Sequence, residues 1–145
     1  MIRLFMKVVA YNIQEFEKET LAKANAKIHD LTLISNPLDI ATIKYALGKE
    51  VIIVSDRDQL NKEILDMLFK MGVKKIISRS IQLYHIDVAY ANELQLHLAN
   101  TPSADDSPES IAQQTIFNLN NWSEGICLGD ACHCSFDCAN KKNKN

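Results

Sequence analysis

Five short apolar runs recur along the chain, and each is closed by a polar residue or a turn signal. Runs of about four to eight residues that are rich in β-branched side chains and bounded in this way predict buried strands. The third run, VIIVS, is fully apolar up to its last residue, which is typical of a strand covered on both faces. The runs are residues 6–11, 30–35, 51–55, 74–78 and 96–99.

The segments between these runs have the apolar spacing of helices. Residues 13–26 place Ile13, Phe16, Leu21 and Ala24 on one predicted inner face, and residues 86–94 form another helical segment. A helix beginning at Asp58 or Asn61 and a helix from Pro108 to about Trp122 are predicted by their caps, as is a short helix over residues 39–47. Two glycines, Gly48 and Gly72, fit helix C-terminal stops.

Strands that alternate with helices at this spacing indicate a parallel sheet with helices on both faces. We therefore predict an α/β fold, a flavodoxin-like three-layer sandwich around a five-stranded parallel sheet. The predicted domain covers residues 1–122, and residues 123–145 are expected to form a cysteine-rich C-terminal tail because the composition changes there. A chain of 145 residues is long enough for one domain with a core of its own.

The charge and hydropathy of the chain argue against two classes of partner. The formal net charge is −2, whereas nucleic-acid-binding domains usually carry a basic face. No apolar run approaches the length of a membrane span, and the opening MIRLFMKVVAYN alternates apolar and charged residues, unlike a signal peptide. We expect no nucleic-acid partner, no membrane segment and a cytoplasmic location.

Polar residues follow the fourth and fifth predicted strands, where open α/β sheets bind ligands. Arg79 can hold a carboxylate in a bidentate fork, so Arg79 and the adjacent Ser80 are candidate substrate-binding residues. The alternative for Arg79 is a structural role, bonded to nearby carbonyl groups or paired with Asp87. His85 is expected to cap a local turn, because no nucleophile that it could activate as a base is evident.

The cysteines form the strongest chemical signal, because all of them lie in the tail. Cys127, Cys132, Cys134 and Cys138, with His133 between two of them, lie within twelve residues. Four thiolates, or three and an imidazole, can hold zinc, and four thiolates can hold an iron–sulfur cluster. The spacing matches neither paired C-x2-C knuckles nor common ferredoxin runs, so redox thiols, disulfides and an unliganded tail remain alternatives.

Four segments taken in order resemble the N-terminal, substrate-side domain of the D-isomer-specific 2-hydroxyacid dehydrogenases, most of all the D-lactate dehydrogenase branch. They read VVAYNIQEFEK, DQLNKEILDMLFKMGVKKIISRS, HIDVAYANELQLHLANTPS and SPESIAQQT. The resemblance implies a small 2-hydroxy or 2-keto acid as ligand. It also implies that a separate Rossmann domain supplies the NAD site and the catalytic Arg, Glu and His.

Several features of the chain depart from the family pattern. No G-x-G-x-x-G sequence can be built from its four glycines, so NAD binding by this chain alone is not expected. Gln82 stands where the family usually has a glycine that lets main-chain amides approach a carboxylate, and it restricts positive φ. Asp105 and Asp106 stand in the loop after the fifth strand where the family has an aromatic residue, and their negative charges would repel an anionic acid.

Three functions follow as hypotheses from these observations. The first is a binding or regulatory module without dehydrogenase activity of its own, carrying a metal or redox site on its cysteines. The second is a component of a D-2-hydroxyacid dehydrogenase that a separate nucleotide-binding chain completes. The third is a structural homodimer in which self-association covers the face that a Rossmann domain would cover.

Overall fold

A computed structural model describes residues 5–102 and 105–136 of the chain, and a parallel five-stranded sheet lies at its centre. The strand order is β2-β1-β3-β4-β5, and each neighbouring pair is parallel. Each strand lies within its predicted run, so the prediction of five parallel strands is confirmed. The strands are β1 (Lys7–Ala10), β2 (Asp30–Leu33), β3 (Val51–Val54), β4 (Lys75–Ser78) and β5 (His97–Ala99).

Helices cover both faces of this sheet, which confirms the three-layer α/β fold. Leu21 of α1 and Leu119 of α4 are buried in the core on one face, and Leu65 of α2 and Ala91 of α3 are buried in the core on the other. In the part of the chain that the structure describes, no helix is both long and apolar enough to cross a membrane. The helices are α1 (Glu15–Asn25), α2 (Lys62–Lys70), α3 (Val88–Glu93) and α4 (Pro108–Ser123).

The inner face predicted for α1 is wrong at one position, because Phe16 is 64% exposed. The helix begins only at Glu15, and Leu21 is its buried apolar anchor. Five residues at about 100° each rotate Phe16 roughly 140° away from Leu21 around the helix axis. Phe16 therefore faces solvent, while Ile13 is buried from the loop before the helix.

The cap of α2 is resolved by the structure. Asn61 Oδ1 accepts a hydrogen bond from the Ile64 amide at 3.0 Å. Asp58 is almost fully buried and instead binds loops together: its oxygens accept from the Leu38 and Ser55 amides, both at 2.9 Å. The alternative that Asp58 caps the helix is therefore wrong.

The helix predicted over residues 39–47 is reduced to one 3₁₀ turn, Ile43–Ala46. Asp39 Oδ1 accepts from the Ala41 and Thr42 amides at 2.9 and 3.0 Å, which forms a tight turn before that segment. The predicted stop at Gly48 is confirmed, since its φ is +81°.

The chain beyond α4 returns to the sheet and packs along its free edge. Cys132 forms an antiparallel bridge with Ala99, and the His133 amide donates to the Leu98 carbonyl at 2.8 Å. Ala131 and Cys134 are buried there. The described residues that follow the predicted boundary at Trp122 thus pack against the domain, and a tail that leaves it stays a prediction for residues 137–145, which lie outside the described residues.

Candidate functional site

A cavity of about 260 Å³ opens where β3, β4 and β5 end. Strands of a parallel sheet bring their carboxyl ends to one edge, so the loops after these three strands meet there. Arg79 and Ser80 follow β4, Thr101 follows β5, and Ile111 projects from α4. The remaining lining residues are Asp56, Ile81, Gln82, Asp105 and Asp106.

Arg79 lies at this cavity, but its guanidinium is used inside the protein. Its Nε and Nη2 donate to the two carboxylate oxygens of Glu17 at 2.8 and 3.2 Å. Its Nη1 and Nη2 donate to the carbonyls of Tyr11 and Asn12 at 3.1 and 3.2 Å. The Arg79 side chain is only 2% exposed. These contacts match the structural alternative for Arg79, and a ligand would compete with Glu17 for the guanidinium.

The partner proposed for Arg79 within that alternative is wrong. The Asp87 carboxylate accepts from the Tyr90 amide at 3.1 Å and caps α3. The partner in the structure is Glu17, which is 62 residues away in sequence and lies in the first turn of α1. Its Oε1 also accepts from the Gln14 amide at 2.9 Å, which completes a capping box. No local pattern connects that helix start to the end of β4.

Ser80 is the end of a directed chain of hydrogen bonds. The Ser80 hydroxyl donates to the Gln82 carbonyl at 2.7 Å, so its single proton is used. Ser78 Oγ lies 2.7 Å from Ser80 Oγ and must donate to it, and His85 Nε2, 2.8 Å from Ser78 Oγ, must donate in turn. His85 is therefore protonated at Nε2, and the chain of donors runs from His85 to the cavity.

His85 thus holds the loop after β4 in place through Ser78. Its carbonyl also accepts from the Leu60 amide at 2.9 Å. Burial lowers the pKa of His85 below its usual value, against the opposing effect of Asp56 and Asp58. This geometry agrees with the turn-stabilising role expected for His85. Nothing in the sequence indicated that Ser78 is the hydrogen-bond partner of His85.

The loop that carries Ser80 to Gln82 has its carbonyls turned into the protein. The Thr101 amide donates to the Ser80 carbonyl at 3.0 Å, and Asn100 Nδ2 donates to the Ile81 carbonyl at 2.8 Å. Across a trans peptide the following N–H points the opposite way. Within residues 5–102 and 105–136, the amides of Ser80, Ile81 and Gln82 have no hydrogen-bond acceptor. Gln82 is also absent from the described residues with positive φ, so it fits this loop without backbone strain.

Three aspartates also line the cavity. Asp56 follows β3, and Asp105 and Asp106 precede α4. Asp105 Oδ1 accepts from the Ser107 amide at 2.8 Å, and hydrogen bonds from Ser107 lower the pKa of Asp105. Ser107 in turn caps α4 by accepting from the Ser110 amide at 3.1 Å, which agrees with the helix start predicted at Pro108. The described lining therefore carries three carboxylates, while the Arg79 guanidinium there is already paired with Glu17. This agrees with the repulsion of an anionic acid expected from Asp105 and Asp106.

Cys132 lies beside Ala99 at the carboxyl end of β5 and Cys134 beside His97 at its amino end, and the cysteines are not gathered into a metal-binding cluster in the described structure. No three Cys, His, Asp or Glu side chains of residues 5–102 and 105–136 are arranged to hold a metal ion. Cys127 and Cys132 are half-buried and Cys134 is buried, whereas Cys138 lies outside the described residues. The zinc or iron–sulfur site of Cys127, Cys132, Cys134 and Cys138, with His133, stays a prediction.

Comparisons with known proteins identify relatives of this domain. The model of the D-isomer specific 2-hydroxyacid dehydrogenase catalytic domain matches residues 4–131. D-lactate dehydrogenase of Streptococcus pyogenes serotype M1 is 35% identical over 115 residues, which are 77% of this chain and 33% of that protein. A 2-hydroxyacid dehydrogenase homolog of Haemophilus influenzae is 28% identical over 112 residues, again 77% of this chain and 33% of the relative.

Solved structures give the same relationship. The apo structure of D-lactate dehydrogenase from Escherichia coli aligns with a TM-score of 0.66 and 29% identity. That alignment covers 69% of this chain and 32% of the neighbour. The chain therefore spans about a third of the length of the relatives it matches.

Proposed function

Because the chain belongs to the D-isomer specific 2-hydroxyacid dehydrogenases by its catalytic domain, we propose that it binds a short 2-hydroxy or 2-oxo monocarboxylic acid. The cavity at the carboxyl ends of β3 to β5 carries this proposal, because main-chain amides without an acceptor among the described residues belong to the residues that line it. In this proposal the chain binds the acid without transferring hydride on its own.

The amides of Ser80, Ile81 and Gln82 are the proposed carboxylate donors. Main-chain N–H groups that have no acceptor in the protein are rare unless solvent or a ligand satisfies them. Arg79 is not the main group that binds the acid in this proposal, since Glu17 accepts hydrogen bonds from its Nε and its Nη2. Arg79 instead fixes the start of the loop on which the donors lie.

The carboxylates of Asp56, Asp105 and Asp106 set the size and charge of the ligand. A second negative charge on the ligand would face at least one of them within the cavity. Two like charges about 6 Å apart repel by about 1 to 3 kcal/mol at effective dielectric constants between water and a protein surface. Monocarboxylates are therefore favoured over dicarboxylates by roughly an order of magnitude in affinity.

Titration with D-lactate, followed by amide chemical shifts in NMR spectra, tests the proposal. We expect the largest shifts at Ile81 and Gln82, weaker binding of the dicarboxylate D-malate, and weaker binding of propionate, which lacks the 2-hydroxyl group. Shifts that are equal for D-lactate and propionate, or that are absent from the loop after β4, would contradict it.

A matched pair of variants sharpens this test. Asp106→Asn removes one negative charge at the cavity, and Asp30→Asn removes one from the exposed start of β2, at the other end of the sheet. We expect Asp106→Asn to tighten D-lactate binding by about threefold, corresponding to roughly 0.6 kcal/mol. Asp30→Asn should leave it unchanged. Equal effects of both substitutions would show a general charge effect instead.

A second function is supported by two exposed residues of the loop after β4, of which Ile81 lines the cavity. Ile81 is 52% exposed and Tyr84 is 89% exposed, both in the loop after β4. Apolar side chains at a site entrance favour a partner that covers them, so the chain is also a candidate component of a dehydrogenase completed by a nucleotide-binding chain. NADH oxidation with pyruvate that appears only on adding such a chain would support this, and binding of NADH by this chain alone would contradict it. The structural homodimer stays a prediction, tested by light scattering.

A further inference from the structure

A second cavity adjoins the acid-binding cavity at the carboxyl end of the sheet. It has a volume of about 400 Å³ and is formed by the loop after β3 and the loop after β4. Asp56 and Gln82 line both cavities, so the two spaces meet at these residues. The other residues that line the second cavity are Gln59, Tyr84 and His85. Together the two cavities have room for an acid with a longer side chain than that of lactate.

His85 contributes a hydrogen-bond acceptor to the second cavity. Its Nε2 donates to Ser78 Oγ at 2.8 Å, so the Nδ1 of the neutral ring carries a lone pair and no proton. Within residues 5–102 and 105–136 no group donates to this Nδ1, although His85 is only 8% exposed. The atom is not fully enclosed by the protein, so it reaches the accessible space of the cavity that His85 lines. Buried polar groups are normally hydrogen-bonded, so this acceptor indicates a ligand that donates.

Asp56 adds a negative charge where the two cavities meet. Its side chain is exposed, and it forms no ion pair with any residue of the part of the chain that the structure describes. Asp105 and Asp106 add two more carboxylates to the first cavity, where the Arg79 guanidinium is already paired with Glu17. An acid with an uncharged side chain leaves all three carboxylates uncompensated, whereas a positive charge on the side chain would compensate them.

We propose that the two cavities together bind a 2-hydroxy or 2-oxo acid whose side chain ends in an ammonium group. The carboxylate of this acid binds to the main-chain amides of Ile81 and Gln82, as in the proposed function on which this inference rests. The side chain extends past Asp56 into the second cavity. There the ammonium group, which has three donors, donates to the Asp56 carboxylate and to His85 Nδ1. Tyr84 adds an aromatic ring, a group whose face attracts cations.

Calorimetric titration of the full-length chain with two pairs of ligands tests the proposal. In each pair a methyl group replaces the ammonium group, so the two ligands have nearly the same shape. The short pair is D-4-amino-2-hydroxybutyrate and D-2-hydroxyvalerate, and the long pair is D-6-amino-2-hydroxyhexanoate and D-2-hydroxyheptanoate. At about pH 7.5 the amines are protonated, and His85 is neutral because burial lowers its pKa. We expect the ammonium ligand to bind about fivefold more tightly than its methyl partner in at least one pair, as for a favourable ion pair near the protein surface.

Two variants and a matched control locate the ammonium group. Asp56→Asn should weaken binding of the ammonium ligand by about fivefold and should not weaken binding of its methyl partner. The ammonium ligand has no net charge, so a general charge effect of the protein would not weaken its binding. Asp30→Asn, at the other end of the sheet, should change neither affinity. His85→Gln keeps the donor to Ser78 but lacks the acceptor at Nδ1, and should weaken binding of the ammonium ligand alone by about threefold.

The inference and the proposed function fail in different ways. If the methyl ligands bind as tightly as the ammonium ligands in both pairs, the ammonium site is overturned and the acid-binding function stands. The same holds if Asp56→Asn has equal effects on both members of a pair. If neither D-lactate nor any of the four ligands binds, the proposed function fails and the inference fails with it. If His85→Gln does not fold, as judged by circular dichroism, the comparison of Asp56→Asn with Asp30→Asn decides alone, since both side chains are exposed.

Discussion

The ion pair between Arg79 and Glu17 makes a quantitative prediction about stability. Arg79 starts from the end of β4 and reaches across β3 to the carbonyls that follow β1. Its side chain is 2% exposed and that of Glu17 is 15% exposed, with 2.8 Å between Nε and Oε2. Glu17→Ala would leave a buried guanidinium with two N–H groups unpaired.

The expected loss is large because a buried charge would lose its counter-charge. Removing one partner of a buried ion pair costs about 3 to 5 kcal/mol, and the partial exposure of Glu17 places the expected loss near the lower end, about 3 kcal/mol. The capping box adds to this, since the Gln14 amide also loses its acceptor. A loss of that size is a substantial part of the stability of a typical domain.

Glu15→Ala is the matched control. Glu15 lies in the same first turn of α1 and pairs with Lys18 at 3.4 Å, with side-chain exposures of 89% and 52%. Both substitutions remove one negative charge near the start of the helix, so the helix-dipole effect is shared. An exposed pair of this kind contributes little, and the expected loss is within about 0.5 kcal/mol.

Urea unfolding followed by circular dichroism measures both variants, with the slope of the transition checked for constancy. A double-mutant cycle with Arg79→Met separates the ion pair from the capping box, because the capping box is lost whether or not Arg79 is present. We expect a coupling energy of about 2 kcal/mol. Equal losses for Glu17→Ala and Glu15→Ala, or a coupling energy near zero, would refute the role given to Arg79.

Three further predictions rest on single groups. Burial lowers the pKa of His85 below 6.5, so His85 takes up a proton less readily in the folded state than in the unfolded state. Stability is therefore lost as pH falls from about 6.5 toward the folded-state pKa. His85→Gln keeps a donor to Ser78 and should reduce this pH dependence of the urea midpoint, and a pH profile identical to that of the unsubstituted protein would contradict the prediction. Asp58→Ala leaves the buried Leu38 amide and the half-buried Ser55 amide without their acceptor and should cost about 3 kcal/mol, whereas a loss below about 1 kcal/mol would show that water replaces the carboxylate. Gly72→Ala meets no atom within 4 Å but adopts φ +96°, so its cost should be about 1 kcal/mol from the backbone alone, and an unchanged thermal midpoint would contradict that.

The strands could be predicted because the signal is local. In a run such as VIIVS each apolar residue indicates a buried position, and the turn residues on either side mark where the strand begins and ends. Boundaries were too long by up to two residues at an end, as at β2, where the predicted run ended at residue 35 and the strand ends at Leu33. The apolar pattern continues for a residue or two after the last ladder hydrogen bond, since side chains there still pack against the core.

The interactions within the site could not be predicted because they join distant parts of the chain. Glu17 and Arg79 are both visible as charged residues, yet nothing near either of them indicates the other. The same holds for the return of Cys132 to the edge of β5, since a single bridge of the antiparallel kind has no periodicity of its own. Asp58 shows a further reason. Its position before α2 is compatible with capping that helix and equally with accepting hydrogen bonds from the loop amides, which is the role that the structure shows.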